Sequence, residues 1–441
     1  MPTQTRRPKL LAIGPALDQS SYARVLHGIL QCLAKDWDID QLAVNYRGFA
    51  QVCGEGGRWR IHPNLNIGDR FGIAQAPELI ARLAPDVVFI FNCFTVLPRY
   101  CSVLAQLGSV RPKFVAYSPL LGEPVEVNRV KGLAFCDALV AVSPGVRQYF
   151  HAALARFHQA GQIPSVPQIA AIPHGVDHAR FHALNAIEQS AAKRRLFPEL
   201  CDADFAESFI VLNANRNEAR KYIATTIAGF AQFARAKPAG VRLHLHMGES
   251  SSDPSLQSLI ADHGIAERVT LASTQAGVHP KITDAELNLL YNACDVGINT
   301  AASEGFGMIS FEHAATGAAQ IVPGHGVCLE LWQGEACNPD AEILPAHESP
   351  HDAHFHVVKE KQVAATAVAA ALERLYADPA YRNNLAQRGQ RNALRPEYQW
   401  QNIALTWSQL FAQLLAEGTC ERHNGVHSSR VASRQSHSIG P

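Results

Sequence analysis

Three things are missing from this 441-residue sequence: long apolar runs, closely paired cysteines and a net charge. Each absence excludes a class of protein. No apolar stretch approaches the ~20 residues that span a bilayer. The ten cysteines, Cys32 to Cys420, contain no C-x-x-C pair, which argues for reduced thiols in a cytoplasm and against a disulfide frame or zinc site. Lys plus Arg equals Asp plus Glu, 39 against 39, so the basic excess of a dedicated nucleic-acid binder is absent. The apolar stretch after the basic segment Met1 to Lys9 breaks at Gly14-Pro15, too soon for a signal peptide. G-x-G-x-x-G and G-x-S-x-G are also absent, which disfavours a dinucleotide-binding first domain and the serine-hydrolase elbow. With 47% hydrophobic and 18% charged residues, the chain is composed like a folded domain and unlike a disordered one.

What is present is an alternation of short apolar runs and helix-length segments. The strand candidates are Leu10–Ile13, Val87–Phe91, Phe114–Tyr117, Leu139–Val142, Phe209–Asn213, Arg242–Met247, Val269–Leu271, Val296–Asn299 and Gln320–Val322. They are apolar on both faces, as parallel strands covered by helices on each side must be. Helical stretches lie between them, among them Tyr22–Lys35, Lys221–Ala234, Asp284–Ala293 and Phe306–Thr316. The length exceeds one core, so the spacing predicts two doubly wound α/β units. The expected division is residues 1–190, then 191–395, a closing helix over 396–418 and a disordered tail over 419–441.

Two windows carry chemistry. In Asn299 to Glu312 a strand ends, a Gly305-Phe306-Gly307 turn follows and a helix begins. Such a turn presents backbone N–H groups and a helix dipole to an anion. Glu304 and Glu312 flank it and could accept hydrogen bonds from hydroxyls on either side of a diphosphate. The second window, Asn213 to Lys221, places Arg216 and Lys221 at another helix start, where a fork donor and a point charge suit a diphosphate. The turn Gly14 to Tyr22 is expected to line the cleft, with Ser20 or Ser21 as a cap. His325 stands at a further strand end, and Glu330 just beyond it.

These residues resemble glycosyltransferase family four, the retaining GT-B enzymes. Ser303-Glu304-Gly305-Phe306-Gly307 with Phe311-Glu312 looks like the family's Glu-x₇-Glu signature, and Ile172-Pro-His174-Gly-Val-Asp177 is similar to its domain-boundary P-N-G-V-D, with His174 where Asn is usual. Arg216 and Lys221 match its diphosphate-gripping pair. Leu290-Tyr291 to Val296 resembles its helix-to-strand step, and Tyr398-Gln-Trp400 its return to the first domain.

The resemblance implies a GT-B fold, two Rossmann-like domains facing a central cleft. It also implies a nucleotide-sugar donor held by the second domain and a hydroxyl acceptor, glycan or lipid-linked glycan, contacted by the first. On this carry-over Glu304, Arg216 and Lys221 are catalytic. Glu312 would hold the ribose, and Gly305, Phe306, Gly307, Gly14, Asn215 and His325 complete the donor site. No metal or cofactor is expected, because Arg and Lys do what Mg²⁺ would do.

The family's first-domain His is missing after Phe114 to Tyr117, so Tyr117, Ser118 or Glu123 stands in on the acceptor side. Cell-surface polysaccharide synthesis in the cytoplasm is the expected setting. Peripheral contact with the inner face of the membrane would run through Arg6, Arg7, Lys9 and Lys193 to Arg195. The alternatives are a GT-B-shaped nucleotide-sugar epimerase and a non-catalytic nucleotide-sugar-binding scaffold.

Overall fold

The computed structural model describes residues 6–17, 20–54, 56–108, 111–122, 127–249, 255–275, 278–335, 338–349 and 359–432, with only the backbone over 418–432. The first sheet is built from β1 (Lys9–Gly14), β2 (Asp38–Ala43), β3 (Gln51–Cys53), β4 (Trp59–Pro63), β5 (Val87–Phe91), β6 (Lys113–Ser118), β7 (Ala138–Ala141) and β8 (Gln168–Ala171). Its order is β3-β4-β2-β1-β5-β6-β7-β8, and only β3 runs antiparallel to its neighbour. The second sheet contains β9 (Phe209–Asn213), β10 (Val241–Leu245), β11 (Val269–Leu271), β12 (Val296–Ile298), β13 (Ala319–Pro323) and β14 (Glu342–Leu344). Its order is β11-β10-β9-β12-β13-β14, parallel throughout. Two doubly wound α/β domains face one another, as expected.

The continuous apolar runs became central strands because both faces are covered: every residue of β5 and β9 is buried. The strands that escaped the apolar pattern carry charge inward. In β2, Asp40 is 5% exposed, accepting from Arg60 Nε at 2.8 Å and meeting His62 Nε2 at 2.6 Å from β4. In β14, Glu342 is buried against Arg374 at 3.2 Å and the Tyr381 hydroxyl at 2.8 Å. Such paired polar positions hide a strand from a reading based on hydrophobicity.

Several boundaries differ from expectation. The helix expected from Phe306 begins at Met308, because Gly307 adopts φ +84°, a left-handed turn that glycine accommodates. Lys361–Val363 forms a short antiparallel pair with Ala346–Glu348, and a helix follows from Ala365. Residue 190 falls inside helix Ala186–Leu196, which packs on Asp284–Ala293 of the second domain. The last helix runs Trp400–Ala432, past residue 418 where the tail was expected to begin. No proline between Pro396 and Pro441 imposes a stop, and residues 433–441 lie outside the described residues.

That helix returns to the first domain. Trp407 lies 4.6 Å from Phe89 between ring centroids, and Phe411 5.3 Å from Trp37. Its first residue, Trp400, presses on Gly28 and Gly175, where an added Cβ would sit 2.5 and 2.6 Å from the indole. Of the basic residues expected to face a membrane, three are in ion pairs. Arg6 pairs with Asp86 at 2.7 Å, Lys193 with Asp295 at 2.9 Å and Arg194 with Asp202 at 2.9 Å, while Arg7 donates to Ala34 O at 2.7 Å. Among the described residues, no helix is long and apolar enough to cross a membrane.

Candidate functional site

The carboxyl ends of β9 and β12 lie side by side, and the turns after them build one wall of an interdomain cavity. After β9, buried Asn213 donates to Thr226 Oγ1 at 3.0 Å and accepts from Asn215 N at 3.1 Å, which pins the turn. Asn215 Oδ1 then accepts from Lys221 Nζ at 2.9 Å, and Lys221 Nζ bonds Glu304 Oε1. Glu304 also accepts from Asn299 Nδ2 at 3.0 Å, and Arg220 lies 3.4 Å from its other oxygen. Arg220 reaches there after a short 3₁₀ turn, Ala219–Lys221, closed by Tyr222 at φ +47°. Burial alone would raise the Glu304 pKa, but Lys221 and Arg220 outweigh it and hold the carboxyl down at about 2.

Glu312, on helix Met308–Ala315, is 3% exposed and already engaged. Arg24, on the first-domain helix Ser21–Leu33, donates to Oε1 at 2.6 Å, and the Tyr291 hydroxyl donates to Oε2 at 3.1 Å. Burial raises the Glu312 pKa, with Arg24 opposing. Arg24 also meets Asp284 at 3.0 Å, and Arg180 meets Asp284 at 2.5 Å. A second tie is made by Glu330, which accepts from Ser143 Oγ at 2.7 Å and Gly145 N at 2.8 Å at the start of helix Pro144–Gln159. Gly305 lets the walls meet, since a Cβ there would stand 2.8 Å from Pro119 Cβ.

The cavity between these walls has a volume of about 180 Å³, below the roughly 300–1,000 Å³ of ordinary ligand sites. Arg24 fills the place beside Glu312. Arg216 is the exception among the cations. It is exposed, lines the cavity and makes no ion pair among the described residues.

Of the residues singled out from the sequence, Asn215, Arg216, Lys221, Glu304, Gly305, Phe306, Gly307 and Glu312 all line this cavity. Four do not. Tyr117 is fully buried and donates to Ile172 O at 2.9 Å, and Ser118 is equally enclosed. Both still belong to a strand covered on each side, and the chain reaches the cavity only at Pro119 and Leu121. His325 turns back to Ala301 O at 2.9 Å, and Gly14 abuts Leu26. Glu123 lies outside the described residues.

The turn Gly14 to Tyr22, expected to line the cleft, reaches it at Tyr22, but sequence reasoning missed the rest of the first-domain wall: Arg24, Phe91 and, from the linker, His174. A basic residue inside the apolar run Ala23 to Leu26 was the available signal for Arg24. Arg220 was adjacent to Lys221 but was not separated from it. His246 and His279 also line the cavity, their rings 5.6 Å apart, and His244 stacks behind His246 at 5.9 Å. His347-Glu348-Ser349-Pro350-His351 matches H-E-x-x-H, a pattern that binds zinc when carried on a helix. Here Ala346–Glu348 is a strand. Among the described residues, no three His, Cys, Asp or Glu side chains converge as a metal site.

No protein-family model matches the chain, and no curated protein matches it. Solved structures do. A sucrose-phosphate synthase from Thermosynechococcus elongatus is 20% identical with a TM-score of 0.65, over 93% of this chain and 100% of that one. An α,α-trehalose 6-phosphate synthase from Burkholderia multivorans is 14% identical with a TM-score of 0.66, over 93% and 99%. HepE from Anabaena, solved in complex with UDP and glucose, is 14% identical with a TM-score of 0.63, over 92% and 100%. Such likenesses establish the fold, and the fold is GT-B.

Proposed function

We propose that this chain is a glycosyltransferase that moves a sugar from a nucleotide-sugar to a hydroxyl acceptor with retention at the anomeric carbon. One observation carries the reading. In a GT-B cleft, an uncommitted guanidinium (Arg216), two further cations (Arg220 and Lys221) and a glycine turn converge with a buried carboxylate, Glu304. Negative charge builds on the diphosphate as it leaves, and fixed cations there stabilise the transition state. Retention comes from the resemblance in the Glu304-x₇-Glu312 spacing. Glu304, held by Lys221, Arg220 and Asn299, is placed to orient sugar hydroxyls as an acceptor.

On this reading Glu312 takes the ribose once Arg24 swings away, and the acceptor, a glycan or lipid-linked glycan, approaches from the first-domain side. Uridine-linked donors come first because HepE was solved with UDP and glucose bound.

The test is a thermal-shift panel of UDP-, GDP- and ADP-sugars followed by transfer and donor-hydrolysis assays. One nucleotide class is expected to stabilise the protein, with the effect lost in Arg216→Ala. Full transfer and full donor hydrolysis in both Glu304→Ala and Lys221→Ala would sink the reading.

A further inference from the structure

The carboxylates of the cavity have their hydrogen-bond partners; among the described residues, His174 has none. It sits in the linker after β8, is 5% exposed, and neither Nδ1 nor Nε2 has a hydrogen-bond partner. Aromatic rings surround it: Phe306 at 4.9 Å, Tyr117 at 5.6 Å and Phe91 at 5.7 Å between centroids. A phenyl ring would fill that cage with no polar loss. An imidazole there leaves one N–H and one lone pair unsatisfied, a deficit that folded proteins seldom carry without a reason. His174 is also part of the cavity wall, together with Phe91, Pro119, Phe306 and Glu304.

We propose that one ring nitrogen of His174 pairs with a hydroxyl of the donor sugar. The inference rests on the donor-site reading above. A sugar hydroxyl can donate or accept, so it suits either the N–H or the bare nitrogen of a neutral imidazole. Phe91 and Phe306 supply apolar surface for the C–H face of a pyranose. Burial keeps His174 neutral, lowering its pKa to about 3, so the match holds throughout the neutral range.

Titration calorimetry tests this with UDP, GDP and ADP, and with the glucose, galactose and mannose conjugates of whichever diphosphate binds. In His174→Phe, affinity for one conjugate is expected to fall about tenfold relative to its diphosphate, the size of one good hydrogen bond. Diphosphate affinity stays unchanged and the melting temperature rises, a split that a purely structural histidine would not produce. His174→Asn, which keeps a donor and an acceptor, falls between and serves as the variant if the phenyl does not fold. An unchanged conjugate-to-diphosphate ratio for all three hexoses overturns the inference alone. Failure of every diphosphate to bind wild-type protein overturns the donor-site reading instead.

Discussion

The two walls of the cleft are built differently. The second-domain wall comes from two compact windows, Asn213 to Lys221 and Asn299 to Glu312, whose side chains are tied by short-range bonds such as Asn213 to Asn215 and Asn299 to Glu304. The first-domain wall gathers single residues from distant segments: Tyr22 and Arg24, Phe91, Pro119 and Leu121, with His174 from the linker. The local wall holds its arrangement by itself. The other wall depends on how the two domains meet, and its Arg24 bonds Glu312 across them. On the proposed reading, the locally tied wall would hold the nucleotide, and the gathered wall would meet the sugar and the acceptor.

Substitutions can break that contrast. The largest effect is expected for Lys221→Ala, which leaves Glu304 buried with its main partner gone. Loss of one member of a buried pair costs about 3–5 kcal/mol, so urea unfolding should show a shift of that size, together with loss of transfer. Arg216→Ala sharpens the comparison because Arg216 is exposed and makes no ion pair among the described residues. Stability should change by less than about 0.5 kcal/mol, while calorimetry should show UDP binding weakened roughly tenfold or more.

On the other wall, Arg24→Gln should strengthen UDP binding by about fivefold, because a partly exposed pair worth about 1 kcal/mol no longer competes for Glu312. X-ray scattering should show a larger radius of gyration for that variant without ligand. Weaker UDP binding in Arg24→Gln would make Arg24 a ligand contact and not a competitor.

The smallest effect concerns pH. Burial lowers the His174 pKa to about 3, so in this region the unfolded chain binds protons more tightly than the folded one. Stability is therefore lost as pH falls from 6.5 toward 3, and His174→Phe should make the acid limb of a denaturation profile shallower. UDP-glucose affinity should change by less than about twofold between pH 7 and 8.5. The reason is that Glu304 is held at about 2 and stays charged, while His174 stays neutral.

The same contrast explains what could be read in advance. Val87–Phe91, Phe209–Asn213 and Val269–Leu271 are bounded as expected because uninterrupted apolar runs admit few other arrangements inside a covered sheet. Glu304, Glu312, Arg216 and Lys221 were legible because their spacing is set by one turn each. Arg24 was not, since its partner lies 288 residues away and the pair spans the two domains. Tyr117 and Ser118 misled because strand ends and cleft rims look alike in sequence, and a single residue separates enclosed Tyr117 from cavity-lining Pro119. His174 stood out as a substitution in a familiar pattern, but its lack of partners appears only in three dimensions.

A crystal structure of the protein with UDP-glucose tests the donor site most directly. The expected result has the diphosphate against Arg216 and the Gly305–Gly307 turn, the ribose on Glu312 with Arg24 displaced, and the glucose beside Glu304 and His174. Nucleotide bound outside this cleft, or an Arg24–Glu312 pair left intact beneath a bound ribose, would contradict it.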